Sequence, residues 1–182
     1  MPARCVPWLL VVLAILLPSP SANAASQRAR VASSATDIRS FRLTEEHLRT
    51  LVLVTQAMDR IPPRGPEAPR SDVAMFTILS MSLSFNEPFT ERTVPEAVRT
   101  IQRGHPELAT AVQTAGLTLT DYVLTQITLL LTYPVIAAER RGGPAAPADD
   151  VSPANLAFVR ANWNATEKAL QVLTEAAARY AR

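Results

Sequence analysis

Cysteine is almost absent from this sequence, since Cys5 is the only one in 182 residues. It falls in an N-terminal segment that is typical of a cleaved secretory signal, so we expect the mature protein to contain no cysteine. That excludes disulfides, thiolate zinc sites, iron–sulfur clusters, c-type haem attachment and a cysteine nucleophile. The folded protein must then depend on its hydrophobic core, and about 140 residues are enough to form one.

A large excess of either charge is also missing. The chain has 18 Lys and Arg against 16 Asp and Glu. Losing Arg4 with the signal segment would leave the mature chain close to neutral. This balance argues against a protein that binds nucleic acid or another polyanion.

The common catalytic and metal-binding motifs are absent. The sequence contains no HExxH, P-loop, GxGxxG, GxSxG or SxxK run. Its two histidines, His47 and His105, follow Thr44 and Gln102 by three residues, whereas a di-iron bundle needs a glutamate there. We therefore expect surface or helix-capping histidines, and predict no catalytic residue, metal or cofactor. Met58, Met75 and Met81 could in principle ligate haem, but methionine at helical spacing is more typical of core packing.

Residues 1–24 predict a signal peptide. Arg4 supplies the positive charge, an apolar run extends from Trp8 to Leu17, and Ala22-Asn23-Ala24 forms a small-residue cleavage site. We expect export to the periplasm or the extracellular space, with a flexible tail over 25–40 and one helical domain over 41–182.

One uncharged segment dominates the rest of the sequence. The residues between Asp121 and Glu139 carry no charge and are mostly apolar, which predicts a helix over 118–140 with Thr118 as its N-cap. A buried core helix is favoured over a membrane span, because the run is interrupted by Gln126 and three threonines and is shorter than the roughly 20 apolar residues that cross a bilayer. Pro134 predicts a kink near Thr132–Tyr133.

The remaining segments predict further helices around it. One begins at Thr44 and stops before Pro62-Pro63, and two short ones end at Gly104 and Gly116. The stretch 71–85 fits either a helix or a strand, and we interpret it as helix. A long C-terminal helix over 153–181 carries apolar residues in steps of three and four. The predicted fold is all-α: a compact bundle of five to six helices around the buried helix 118–140.

Two short segments resemble sequences in exported all-helical bacterial proteins of unassigned function. They are Ala115-Gly116-Leu117-Thr118 with Asp121-Tyr122, and Val151-Ser152-Pro153-Ala154-Asn155 with Phe158-Val159. The resemblance covers about residues 41–182 and implies an exported helical domain. It brings no active site with it.

These features favour a non-enzymatic exported domain that binds a protein partner or a small apolar ligand. We expect a ligand to lie between the second half of helix 118–140 and the C-terminal helix, near Tyr122, Gln126, Tyr133 and Trp163, whose polar tips stand on an apolar wall. Two alternatives stay open: an enzyme, hydrolytic or other, with an acid/base site that follows no motif, and a membrane-attached protein that uses helix 118–140.

Overall fold

Six helices account for most of the described residues, and no strand occurs among them. The computed structural model describes residues 38–61, 72, 93–143 and 151–180, with side chains described up to 176. The helices are α1 (Glu45–Met58), α2 (Thr93–Gly104), α3 (Pro106–Thr114), α4 (Leu119–Arg140), α5 (Pro153–Ala161) and α6 (Trp163–Tyr180). The predicted all-α class is confirmed.

Helix α4 has the bounds and the N-cap that the sequence predicts. The Thr118 hydroxyl accepts a hydrogen bond from the Asp121 backbone N–H at 3.0 Å and donates one to its carboxylate at 2.7 Å. From Leu119 to Leu129 almost every side chain of α4 is buried, and the helix contacts α1, α2, α3 and α5. It continues through Pro134, whose predicted kink stays a prediction.

The prediction of one continuous C-terminal helix over 153–181 is wrong at Asn162. The segment divides there into α5 and α6, because Asn162 has φ −109° and ψ 34°. The Asn162 backbone N–H and its side-chain Nδ2 both donate to the Phe158 carbonyl, at 2.8 and 3.1 Å. An asparagine that bonds the preceding turn in this way competes with the regular helix pattern.

The division changes what the C-terminal segment covers. Helix α5 packs on α4, whereas α6 makes its main contact with α1. Over its described part the predicted seam faces inward: Val159, Thr166, Leu170 and Leu173 are buried, and Leu156 and Trp163 are partly buried and pack against the core.

Two glycines end helices as the sequence predicts or allows. After α3, Gly116 takes φ +93°, its N–H donates to Gln113 O, and the Leu117 N–H donates to Val112 O. After α4, Gly142 takes φ +71° in the same arrangement, with bonds to Glu139 O and from Gly143 to Ala138 O. This is the Schellman motif, which requires a left-handed residue after the helix.

Several predictions lie outside the described residues. These are the signal peptide 1–24, the tail up to residue 37, and the segment 71–85 except the buried residue Asp72. The described residues themselves belong to one compact unit, Ser34–Arg182.

Candidate ligand-binding cavity

A cavity of about 450 Å³ lies between the second half of α4 and α6. Its described wall on α4 consists of Leu129, Leu130, Tyr133 and Pro134. The facing wall on α6 consists of Glu167, Leu170, Gln171 and Thr174. The cavity lies between the two segments for which the sequence predicts a ligand.

Helical spacing explains why these residues share one wall. On α4, Leu129 and Leu130 precede Tyr133 by four and three residues, the spacings that align side chains on one face. Pro134 lies beside them and has no N–H to donate to the Leu130 carbonyl four residues earlier. The wall therefore combines aliphatic and aromatic surface with a backbone carbonyl that lacks its usual helix donor.

The rim of the cavity on α6 is polar. Gln171 Nε2 donates to Glu175 at 2.7 Å, and the Thr174 hydroxyl donates to the Leu170 carbonyl at 3.0 Å. Exposed Glu167 makes no hydrogen bond or ion pair in the described part of the chain. Apolar walls with a few polar groups at the edge are typical of small-molecule sites.

Tyr133 and Trp163 are brought together at one end of this region. Their rings stack with centroids 5.0 Å apart and planes 8° apart. The guanidinium of Arg140 lies 5.0 Å from the centre of the Trp163 ring, a cation–π contact. Next to it, Arg160 holds both carboxylate oxygens of Glu139, with a shortest distance of 2.8 Å. The stack and this ion pair fix the end of α4 against α5 and the start of α6.

The other two predicted site residues, Tyr122 and Gln126, lie deeper in the protein. Tyr122 is fully buried and Gln126 is 1% exposed. Neither lines the cavity, but both share the α4 face of Tyr133, which Tyr122 precedes by eleven residues and Gln126 by seven. Neither the Oε1 nor the Nε2 atom of Gln126 has a hydrogen-bond partner. A buried amide without partners is rare, because it carries the full cost of losing its water.

His47 is the described group closest to the requirements of an acid/base site, and its surroundings indicate a structural role. Its Nδ1 accepts the Thr44 backbone N–H at 3.1 Å, and its own N–H donates to the Thr44 hydroxyl at 3.3 Å, which closes a capping box at the start of α1. Burial lowers the pKa of His47, against the opposing influence of Asp121 and Glu46. With Nδ1 engaged by the backbone, the ring is held as the neutral tautomer with its proton on Nε2.

Asn155 has a role that sequence reasoning missed. It is 2% exposed, its Oδ1 accepts the Leu43 N–H at 2.9 Å, and its Nδ2 donates to the Phe41 carbonyl at 2.9 Å. The side chain thereby fastens the segment before α1 to α5, across more than 110 residues of sequence. The one available signal is that Asn155 lies in the first turn after the Ser152-Pro153 helix start, where a solvated residue is equally common.

A second groove, of about 680 Å³, lies between α1 and α6. Leu48, Val52 and Leu53 line it together with charged residues at its edges, including Glu45, Arg49 and Lys168. Leu53 is 47% exposed and is the most exposed large hydrophobic side chain among the described residues. The described lining of this groove carries charged side chains of both signs, whereas Glu167 is the one charged side chain in the described lining of the α4–α6 cavity.

Two searches of the described residues bear on the open alternatives. No group of three or more His, Cys, Asp or Glu side chains that could hold a metal ion occurs among them. Helix α4 is long and apolar enough to cross a bilayer by length and composition, but 67% of its most apolar window is buried inside the protein. Such burial is typical of the core helix of a globular domain.

Protein-family models, curated proteins and solved structures were each compared with the chain, and none of the three comparisons finds a match.

Proposed function

We propose that this chain is an exported, non-enzymatic helical domain that binds one small, mostly apolar molecule between α4 and α6. The observation that carries the proposal is the cavity of about 450 Å³, whose α4 wall is Leu129, Leu130, Tyr133 and Pro134. Its volume falls within the roughly 300–1,000 Å³ of ordinary small-molecule sites. The export part rests on the signal-like residues 1–24.

The chemistry near the cavity favours binding over catalysis. Glu167 is the one carboxylate among the described lining residues, which include no His, Lys or Arg, and it is exposed. A general acid and base must converge on a reacting group, and one solvated carboxylate offers no such pair. His47, which could serve as a base elsewhere, is occupied by the cap of α1.

Binding of the neutral apolar dye N-phenyl-1-naphthylamine tests the proposal, because its fluorescence rises in apolar surroundings. Leu130→Asp places a charge on the cavity wall, and we expect the dye to bind at least about tenfold more weakly. Leu130 is only half-buried, so the substitution is compatible with folding, which circular dichroism checks.

Leu53→Asp is the matched control. It makes the same substitution at an exposed leucine of the other groove, so dye affinity should remain that of the natural protein. Equal affinities in all three proteins, or no binding to any of them, would contradict the proposal. Native mass spectrometry of the purified protein gives a second readout, an added mass that Leu130→Asp removes.

A further inference from the structure

We infer that the molecule bound in the α4–α6 cavity is uncharged and carries a hydroxyl or similar neutral hydrogen-bonding group that pairs with Gln126. This inference rests on the proposed function and specifies its ligand. Its starting point is the buried amide of Gln126, whose donor and acceptor atoms both lack partners in the protein.

Gln126 lies on the α4 face that forms the cavity wall. It precedes Leu129, Leu130 and Tyr133 by three, four and seven residues, the spacings that place side chains on one face. Helical side chains lean toward the N-terminus, so Leu129 and Leu130 reach over the turn that carries Gln126. Gln126 therefore lies one turn before the cavity wall, on the same face of α4 and at the end away from the Tyr133–Trp163 stack, without itself lining the cavity.

The other unpartnered buried hydroxyls do not share this position. Thr128 is two residues from Gln126, which turns its side chain about 200° around the helix, away from the cavity face. Thr166 lies about a quarter turn from the centre of the α6 wall formed by Glu167, Leu170 and Gln171. Gln126 is thus the unpartnered group best placed to meet a ligand.

The chemistry of the amide selects the ligand. A glutamine side chain donates through Nε2 and accepts through Oε1, so one hydroxyl can satisfy both atoms or either of them. The Leu130 carbonyl, which receives no hydrogen bond from Pro134, offers a further acceptor for a donor group. A carboxylate fits poorly, because the described lining includes no Lys or Arg to balance a buried negative charge.

Three ten-carbon probes test the inference by competition with N-phenyl-1-naphthylamine: 1-decanol, its methyl ether and decanoate at pH 8. They match in chain length and differ in the polar end. We expect 1-decanol to bind roughly three- to tenfold more tightly than the methyl ether, the size of one net hydrogen bond, and more tightly than decanoate.

Gln126→Met tests the residue, because methionine keeps the length of the side chain and removes its polar atoms. The variant should lose the preference for 1-decanol over the ether while it still binds the dye. Without ligand it should unfold at a higher urea concentration, since it no longer buries an unpaired amide. Thr128→Val removes an unpaired hydroxyl from the opposite face and should keep the preference for 1-decanol.

The outcomes separate the inference from the function on which it rests. If the dye and all probes fail to bind the natural protein, both are wrong. If the probes bind but decanoate binds best, or if Gln126→Met keeps the preference for 1-decanol, the cavity binds ligands and the assignment of Gln126 is wrong.

Discussion

The aromatic ring of Tyr133 lies flat on the indole of Trp163, with the ring centres 5.0 Å apart and the planes 8° apart. The pair joins α4 to the first residue of α6, just after the division at Asn162. The stack is therefore the contact through which the start of α6 is held against α4, at the edge of the cavity.

Replacing Tyr133 with Leu should lower the free energy of unfolding by about 1 kcal/mol, because an aromatic pair of this geometry contributes that much beyond its buried area. Urea unfolding measures it. In a Trp8→Phe background Trp163 is the sole tryptophan, and its emission should shift to longer wavelength when the covering ring is lost. Tyr133→Phe keeps the ring and should change neither quantity; a loss of equal size in both variants would show that the hydroxyl, not the stack, matters.

Asn155→Ala should destabilise the fold by about 2–3 kcal/mol, because it leaves the Leu43 N–H and the Phe41 carbonyl without their buried partner. Hydrogen exchange of the Leu43 amide should accelerate in the variant. Asn164→Ala is the control, since Asn164 is exposed on α6 and the substitution should change stability by less than about 0.5 kcal/mol. Similar losses in both variants would contradict the role given to Asn155.

Lowering the pH should decrease the free energy of unfolding through protonation of His47. Burial lowers its pKa below 6.5 in the folded state, so the unfolded chain binds the proton more readily. The free energy of unfolding should therefore be greatest above about pH 6.5 and decrease as the pH falls through 6.5 toward the lowered pKa. The measurement is urea unfolding at several pH values between 5 and 8.

His47→Gln isolates this contribution. Glutamine at the same position can accept the Thr44 N–H and complete the capping box without titrating in this range. The variant should show a smaller loss of stability between pH 7.5 and 5.5 than the natural protein, whereas His105→Gln should keep the natural loss, because His105 is not part of the α1 cap. An unchanged pH dependence in His47→Gln would show that other groups are responsible.

Gly142→Ala should cost about 1 kcal/mol, since a Cβ is disfavoured at φ +71° although no atom stands in its way. Gly104→Ala is the matched control: it also ends a helix and has open space around it, but no positive φ. There the substitution should be neutral or slightly stabilising. Thermal or urea unfolding measures both variants. Equal losses of stability in Gly142→Ala and Gly104→Ala would contradict the argument from the positive φ of Gly142.

Local signals predicted the helix boundaries well. The N-cap Thr118 with Asp121 and the glycine Gly116 after α3 bind backbone groups only a few residues away. Such local patterns can therefore be recognised in the sequence. The end of α4 is similar, because Gly142 follows Arg140 and Arg141 at the position that a Schellman motif requires.

Relationships between distant segments were less accessible. No residue near Asn155 in the sequence indicates that its hydrogen-bond partners are Phe41 and Leu43. The division at Asn162 depends on the hydrogen bond of its side chain to the Phe158 carbonyl, and that side chain could equally have faced solvent. The cavity lies between the predicted segments, yet of the four candidate residues only Tyr133 lines it. Periodicity places Tyr122 and Gln126 on the right face, but depth along that face is set by tertiary packing.

The polar residues of α4 have a consequence beyond the folded state. Gln126 and Thr128 lie within a segment of mean hydropathy 1.3, long enough to span a bilayer. In hydrocarbon an amide with no partner is costlier than in a protein interior, where water can still reach it during brief openings. The groups that weaken the core thus also make partition of the unpacked helix into lipid less favourable.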